Sequence, residues 1–366
     1  MKSSNRRSFI CTAGATSAAV FLERVGVAGK QAVADAAQSL SAGKTTYSDI
    51  PCIDVHTHVG GEAGAIARYL AMRDILLGSR GNDLAIWINL GSNSHPILDF
   101  DSVMKAGRGR ILCCISDYSS HDGLDIPPDE LPNWLERGYI GYKIWAGPPS
   151  RRLKPDDSGF PYIDDPAHDP TFDAMEKAGM VCASIHIADP NGPYHHRTKW
   201  LPDPVEFWRE MMAFRARLAR NPGLTVVAAH GMWSVCQDAQ IDFLRYMLGT
   251  YPNLNIDLAA TFQYYHLVSR DNLRDFMIEW SDRILFGTDA GRWSDADGDV
   301  SHAERYSRCF RMLETDELVE GGFFSMNEAK GLALPRDVLE KIYFKNAVRI
   351  YPRVGEHLRK LGYTIG

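Results

Sequence analysis

His56 and His58 stand one residue apart in the stretch Ile50-Pro51-Cys52-Ile53-Asp54-Val55-His56-Thr57-His58-Val59-Gly60. Pro51 marks an entry, an apolar run follows and Gly60-Gly61 ends it, which is the pattern of a short β-strand. Residues two apart in a strand point the same way, so Asp54, His56 and His58 are expected to share a face. Two imidazoles that reach one point beyond a strand end suit a divalent transition metal. A single pair is weak evidence in a chain with 12 His. Its weight comes from the elements that bring other residues to the same place.

Apolar runs rich in Val and Ile recur after this strand. They fall at residues 84–90 (LAIWINL), 111–115 (ILCCI), 139–145 (YIGYKIW), 181–187 (VCASIHI), 225–229 (TVVAA), 254–258 (LNIDL) and 284–286 (ILF). Continuous runs of this kind fit strands buried on both faces. Helically patterned segments separate them, which implies right-handed βαβ units and a parallel sheet. Eight such units predict an α/β fold of the (β/α)8 TIM-barrel type over residues 50–352. The alternative, an open doubly wound sheet, lacks a G-x-G-x-x-G after the first strand. In a barrel the C-terminal strand ends converge on one mouth. Lys143 closes the fourth strand, His186 the fifth, His230 the sixth and Asp289 the eighth. Two histidines, one carboxylate and one lysine are thus expected in one small volume with His56 and His58.

Residues 146–172 are rich in Pro, Asp and Gly and are expected to form a loop on the mouth side, as a lid, a binding loop or an interface element. Near the end, Pro335 sits where a helix begins, and Leu339, Ile342, Tyr343, Ala347 and Ile350 recur at helical spacing. Pro352 stops that helix, leaving 353–366 as a C-terminal tail.

These residues resemble the amidohydrolase superfamily, and more narrowly its amidohydrolase-related (amidohydrolase 2) branch, which includes aromatic-acid decarboxylases and lactone hydrolases. The likeness is carried by Asp54-Val-His-Thr-His58, Ser184-Ile-His186, Ala229-His230-Gly231, Tyr251-Pro-Asn-Leu-Asn-Ile-Asp257, Asp282-Arg-Ile-Leu-Phe-Gly-Thr-Asp289 and Lys341-Ile-Tyr-Phe-Lys-Asn-Ala347. The resemblance implies that His56 and His58 bind a divalent metal, with His186 a third ligand or close to it. It implies that His230 binds a second metal or polarises the substrate, and that Asp289 touches the metal and acts as general base. Lys143 has two readings, a carboxylated bridge between two metals or an ammonium paired with a carboxylate or substrate. Zinc is the expected ion, with manganese or another divalent metal open, as one or two ions. Trp145, Tyr194, His195, Trp233 and Tyr264 are candidate substrate contacts, and Arg292 could clamp a substrate carboxylate.

The first residues carry targeting rather than fold. Arg6-Arg7 precedes an uncharged apolar stretch from Cys11 to Leu22, and Ala32-Val33-Ala34 is a small-residue cleavage pattern. Residues 1–34 resemble a twin-arginine signal peptide, with 35–49 as a leader. The apolar stretch is too short for a comfortable membrane span. Export to the periplasm through the twin-arginine machinery is the expectation. Removing 1–34 takes away five basic residues and one acidic one, which leaves 35 basic against 45 acidic and a net charge of −10. Such a chain is not expected to bind nucleic acid, or a membrane once the signal is removed. A homo-oligomer stays open. The six remaining cysteines follow no disulfide or C-x-x-C pattern and read as buried hydrophobes.

The resulting expectation is a metal-dependent hydrolase that uses metal-activated water on an amide, ester or lactone bond of a small organic substrate. Metal-dependent non-oxidative decarboxylation is the alternative on the same residues. A periplasmic binding protein without turnover ranks last, because binding alone needs no general base beside a metal.

Overall fold

The structure is a computed structural model, and it describes residues 45–91, 99–120, 122–147, 162–189, 204–291 and 298–365. Residues 1–34, read above as a signal peptide, lie outside the described residues, as do Tyr194, His195 and Arg292. Of the leader, only 45–49 is described.

Nine strand segments build the barrel wall: β1 (Pro51–Thr57), β2 (Asp83–Asn89), β3 (Ile111–Cys113), β4 (Ile115–Tyr118), β5 (Tyr142–Trp145), β6 (Cys182–Ile185), β7 (Val226–Ala228), β8 (Leu254–Asp257) and β9 (Ile284–Leu285). All their pairings are parallel. β3 and β4 are one strand interrupted at Cys114. The first part pairs with β2 and the second with β5, so the wall has eight staves in two sheets. Cys114 bridges the interruption by donating its N–H to Asn89 O at 2.9 Å. At the other seam no ladder closes the ring. Single backbone bonds cross it instead: Val55 N to Phe286 O at 3.0 Å, Asp289 N to His56 O at 2.9 Å and His58 N to Ala290 O at 2.7 Å.

The strands read as continuous apolar runs because helices cover their outer faces. These are α1 (Ala63–Ser79), α2 (Phe100–Ala106), α3 (Leu131–Arg137), α4 (Asp169–Ala178), α5 (Pro204–Arg220), α6 (Asp238–Thr250), α7 (Arg270–Glu279) and α8 (Gly298–Glu314). α4 corrects one expectation: residues 146–172 are not loop throughout. Pro166–His168 forms a 3-10 turn and α4 starts at Asp169, with Pro170 in its first turn. Proline counts as a loop signal in sequence, yet it is at home in the first turn of a helix, where its missing N–H costs nothing. Gly147, just past β5, has φ 69°, and a Cβ there would lie 1.9 Å from Ile187 O. Only glycine lets β5 leave the wall beside β6.

The C-terminal helix expected after Pro335 runs as α9 (Arg336–Glu340), a π-turn at Lys341–Lys345 and α10 (Asn346–Ile350). The π-turn frees the Ile342 carbonyl, which accepts the Phe286 N–H at 2.9 Å. Asn346 Nδ2 donates to Ser281 O and Ile284 O, both at 2.7 Å. The helix therefore holds β9 in place, which is the physical content of the Lys341-to-Ala347 stretch. The tail carries one more helix, α11 (Val354–Lys360), with Val354 and Leu358 buried. A hairpin of β10 (Leu318–Glu320) and β11 (Glu328–Lys330) follows α8. The six described cysteines are buried and unpaired. No helix among the described residues is long and apolar enough to cross a membrane.

Candidate metal centre

β1 delivers His56 and His58 to the mouth, and the segment after β9 delivers Asp289. His56 Nε2 lies 3.4 Å and His58 Nε2 3.2 Å from Asp289 Oδ1. The three ligand atoms lie within 4.8 Å of one another. His56 on β1 and Asp289 in the segment after β9 are far apart in sequence and meet at the barrel seam.

Each imidazole is oriented by an oxygen on its other nitrogen. His56 Nδ1 meets Asp257 Oδ2 at 3.0 Å. His58 Nδ1 donates to Gly91 O at 2.5 Å, and His230 Nδ1 donates to Ala259 O at 2.9 Å. With Nδ1 carrying the proton, Nε2 presents a lone pair, which is the form a metal needs. Burial, with His186 and His56 nearby, drives the His230 imidazole well below its ordinary range, so it stays neutral. Burial pushes the Asp289 carboxyl up, but the adjoining His56 and His58 outweigh it and hold the group well below the usual carboxylate range. Two imidazoles with one anionic carboxylate form a donor set that fits a borderline divalent ion such as Zn²⁺ or Mn²⁺.

The other expected residues are in reach, with differences. His186 Nδ1 lies 3.3 Å from His230 Nε2, and His186 Nε2 lies 3.5 Å from Asp189 Oδ1. His186 is part of the cluster but not of the triad. Lys143 is fully buried and donates from Nζ to the Ser184 carbonyl. Burial lowers its ammonium to about 8. Its Nζ sits 5.2 Å from the Trp145 ring centroid. Trp145 stacks on Tyr118 at 4.8 Å and on His58 at 5.9 Å. Trp233 stacks on His230 at 4.1 Å, with Tyr264 edge-on to it at 6.0 Å. Two indoles thus flank the histidine cluster.

Asp54 departs from expectation. β1 slips register against β2 between Asp54 and Thr57, which breaks the simple alternation. Its carboxylate turns to Thr288 Oγ1 at 2.5 Å, Tyr306 OH at 2.8 Å and Thr288 N at 3.1 Å. Burial, only partly offset by Thr288 and Tyr306, lifts it to about 7. Asp54 therefore grips the backbone beside Asp289, which has φ 63°.

Two features were not read from the sequence. The first is the role of Asp257, which closes one of the stretches that carry the family likeness, ends β8 and holds His56. It sits at a C-terminal strand end, the same signal that flagged its neighbours. The second is a run of four left-handed residues, His230 to Trp233, with φ between 53° and 59°. Each non-glycine residue costs about 1–2 kcal/mol in that conformation. Gly231 is the sole sequence sign of it.

Residues 128–353 match the family described as Amidohydrolase (Amidohydro_2). The chain belongs to this amidohydrolase family. The amidohydrolase match covers β5 to β9 and the C-terminal helix, so it includes Lys143, His186, His230, Asp257 and Asp289. No curated protein matches the chain. Among solved structures, it is similar to an uncharacterized TIM-barrel protein from Bordetella bronchiseptica, at 16% identity and TM-score 0.49 over 82% of this chain and 98% of that one. It is also similar to 2,6-dihydroxybenzoate decarboxylase from Rhizobium, at 17% identity and TM-score 0.42 over the same shares. A third is an amidohydrolase from Burkholderia multivorans with bound zinc, at 12% identity and TM-score 0.42, again over 82% and 98%.

Proposed function

We propose that this amidohydrolase-family chain is a metal-dependent hydrolase of a small organic substrate with an amide, ester or lactone bond. The observation that carries the reading is the convergence of His56 Nε2 and His58 Nε2 on Asp289 Oδ1, with each imidazole held by an oxygen on Nδ1. His56, His58 and Asp289 would hold the ion, with His230 and His186 beside them. When bound, a divalent ion supplies Lewis acidity and brings the pKa of a water to about 7.

The chain's own residues do the rest. Asp289 stays ionised, so it can take a proton from the attacking water and pass it to the leaving group. His230 is neutral with its proton on Nδ1 held by Ala259 O, so its Nε2 offers a lone pair beside His186 that can take up a proton. Lys143 places a buried cation near the same point. Trp145 and Trp233 wall the site with flat apolar surface and exclude water.

Non-oxidative decarboxylation is the second reading. It is favoured by the single triad with open donors. The other grouping, His56 with His230 and Asp257, is already joined by hydrogen bonds. The export reading rests on Arg6-Arg7 and the apolar stretch after it, and fractionation of the expressing cell decides it.

The test is a panel of lactones, esters, amides and carboxylated phenols, run on protein as purified, after chelation and after Zn²⁺ or Mn²⁺ is restored. Hydrolysis that disappears on chelation and returns with the ion is the expected result. Release of CO₂ alone would select the second reading. Turnover indifferent to chelation would overturn both.

A further inference from the structure

We infer that Asp257 is a two-handed positioning residue: one carboxylate oxygen sets the His56 ring, and the other sets the left-handed turn that carries His230 and Trp233. The first hand is Oδ2, 3.0 Å from His56 Nδ1. The second is Oδ1, which accepts the His230 N–H at 2.9 Å and the Ala259 N–H at 3.1 Å. The Ala259 carbonyl in turn receives His230 Nδ1 at 2.9 Å. One side chain thus governs the His56 ring, the His230 backbone and, through Ala259, the His230 ring.

The turn needs such a hold. His230, Met232 and Trp233 are L-residues kept in the left-handed region, at φ 59°, 55° and 53°. Strain of this kind persists only where surroundings over-determine it. The other bonds within the turn are Ser234 N to Gly231 O at 3.0 Å and Ser234 Oγ to Met232 O at 3.2 Å. Neither reaches the His230 end. Asp257 does, and it is completely buried, so no water competes for its oxygens. The result is the close face-to-face stack of Trp233 on His230, at 4.1 Å and 19°. Asp257 would therefore couple the metal ligand on β1 to the aromatic wall after β7.

The first half rests on the metal reading of the same site, so the test separates the two. Zn²⁺ affinity and backbone hydrogen exchange over residues 229–235 are measured on the full chain, on Asp257→Asn and on Asp257→Ala. Asparagine keeps an acceptor for the His230 and Ala259 N–H groups. Its NH₂ faces His56 Nδ1 as a donor, which forces the proton onto His56 Nε2 and blocks the metal nitrogen. Asp257→Asn should weaken Zn²⁺ binding by about 10–100-fold, with exchange over 229–235 unchanged. Asp257→Ala should weaken Zn²⁺ binding as much and also speed exchange over 229–235, because the turn is released. Wild-type Zn²⁺ affinity in Asp257→Asn would overturn the first hand. Wild-type exchange in a folded Asp257→Ala would overturn the second. If the unaltered chain binds no divalent ion, the metal reading itself fails, while the exchange comparison still decides the second hand. Should Asp257→Ala not fold, faster exchange over 229–235 in Asp257→Asn, which retains the acceptor, would count against the assignment.

Discussion

Asp289→Asn should abolish most of the turnover while leaving the fold intact. The carboxylate is both the anionic partner of His56 and His58 and the group placed to move a proton. General acid–base catalysis contributes about 10²–10⁴-fold, so kcat/KM should fall by about 10³-fold or more once metal affinity is also reduced. Asparagine is the informative substitution because Asp289 has φ 63°, and Asn tolerates the left-handed region as well as Asp does. The backbone bonds at the seam, from Asp289 N to His56 O and from His58 N to Ala290 O, do not involve the side chain. Thermal unfolding should therefore change little, or move up slightly, since active-site charges are often costly to stability. Steady-state kinetics beside a melting curve checks both parts. A variant within tenfold of wild-type kcat/KM would remove Asp289 from the chemistry.

Glu314→Ala should do the opposite. Glu314 ends α8, and its oxygens accept from Arg80 at 2.7 Å, Asn82 Nδ2 at 2.7 Å and Tyr343 OH at 2.9 Å. The Arg80 and Glu314 side chains are 1% and 2% exposed. Truncating the acid leaves a guanidinium, an amide and a phenol without their partner in a place water does not reach. Breaking a buried pair this way costs about 3–5 kcal/mol. That corresponds to a fall of roughly 5–10 °C in the unfolding midpoint. The cluster lies where α1, β2, α8 and the π-turn meet, at the end of the barrel away from the mouth, where residues serve stability rather than chemistry. Turnover per folded molecule should stay near wild type below the midpoint. A melting curve unchanged within 1 °C, to be read against about 2 °C or more per kcal/mol for smaller domains, would show that Arg80 finds another partner.

Much of the site was legible because a parallel barrel converts sequence order into convergence. Lys143, His186, His230 and Asp289 each sit at or just past the end of an apolar run, and all are found around His56 and His58. Trp145, Trp233 and Tyr264 follow the same logic on the loops. What escaped is what depends on backbone detail. The register slip after Asp54 redirects that carboxylate to Thr288 and Tyr306, and nothing in a run of alternating residues announces a slip. The left-handed turn after β7 contains one glycine where four residues adopt the conformation. Asp257 is 201 residues from His56 and ends a stretch that carries the family likeness, yet nothing in that stretch says which imidazole its carboxylate holds. The start of α4 was hidden because Pro166 and Pro170 look like loop, although both sit in the first turns of helices. The interruption of the third stave at Cys114 leaves no mark in ILCCI.

The most direct test of the account is divalent metal content per chain, measured on the protein purified without added metal and on a folded His58→Ala variant. The His56, His58 and Asp289 triad predicts about one ion per chain in the natural sequence, consistent with a catalytic site of three protein ligands, and loss of that ion in His58→Ala. A folded protein that holds no ion and takes up neither Zn²⁺ nor Mn²⁺, or a His58→Ala variant that keeps its full complement, would contradict it.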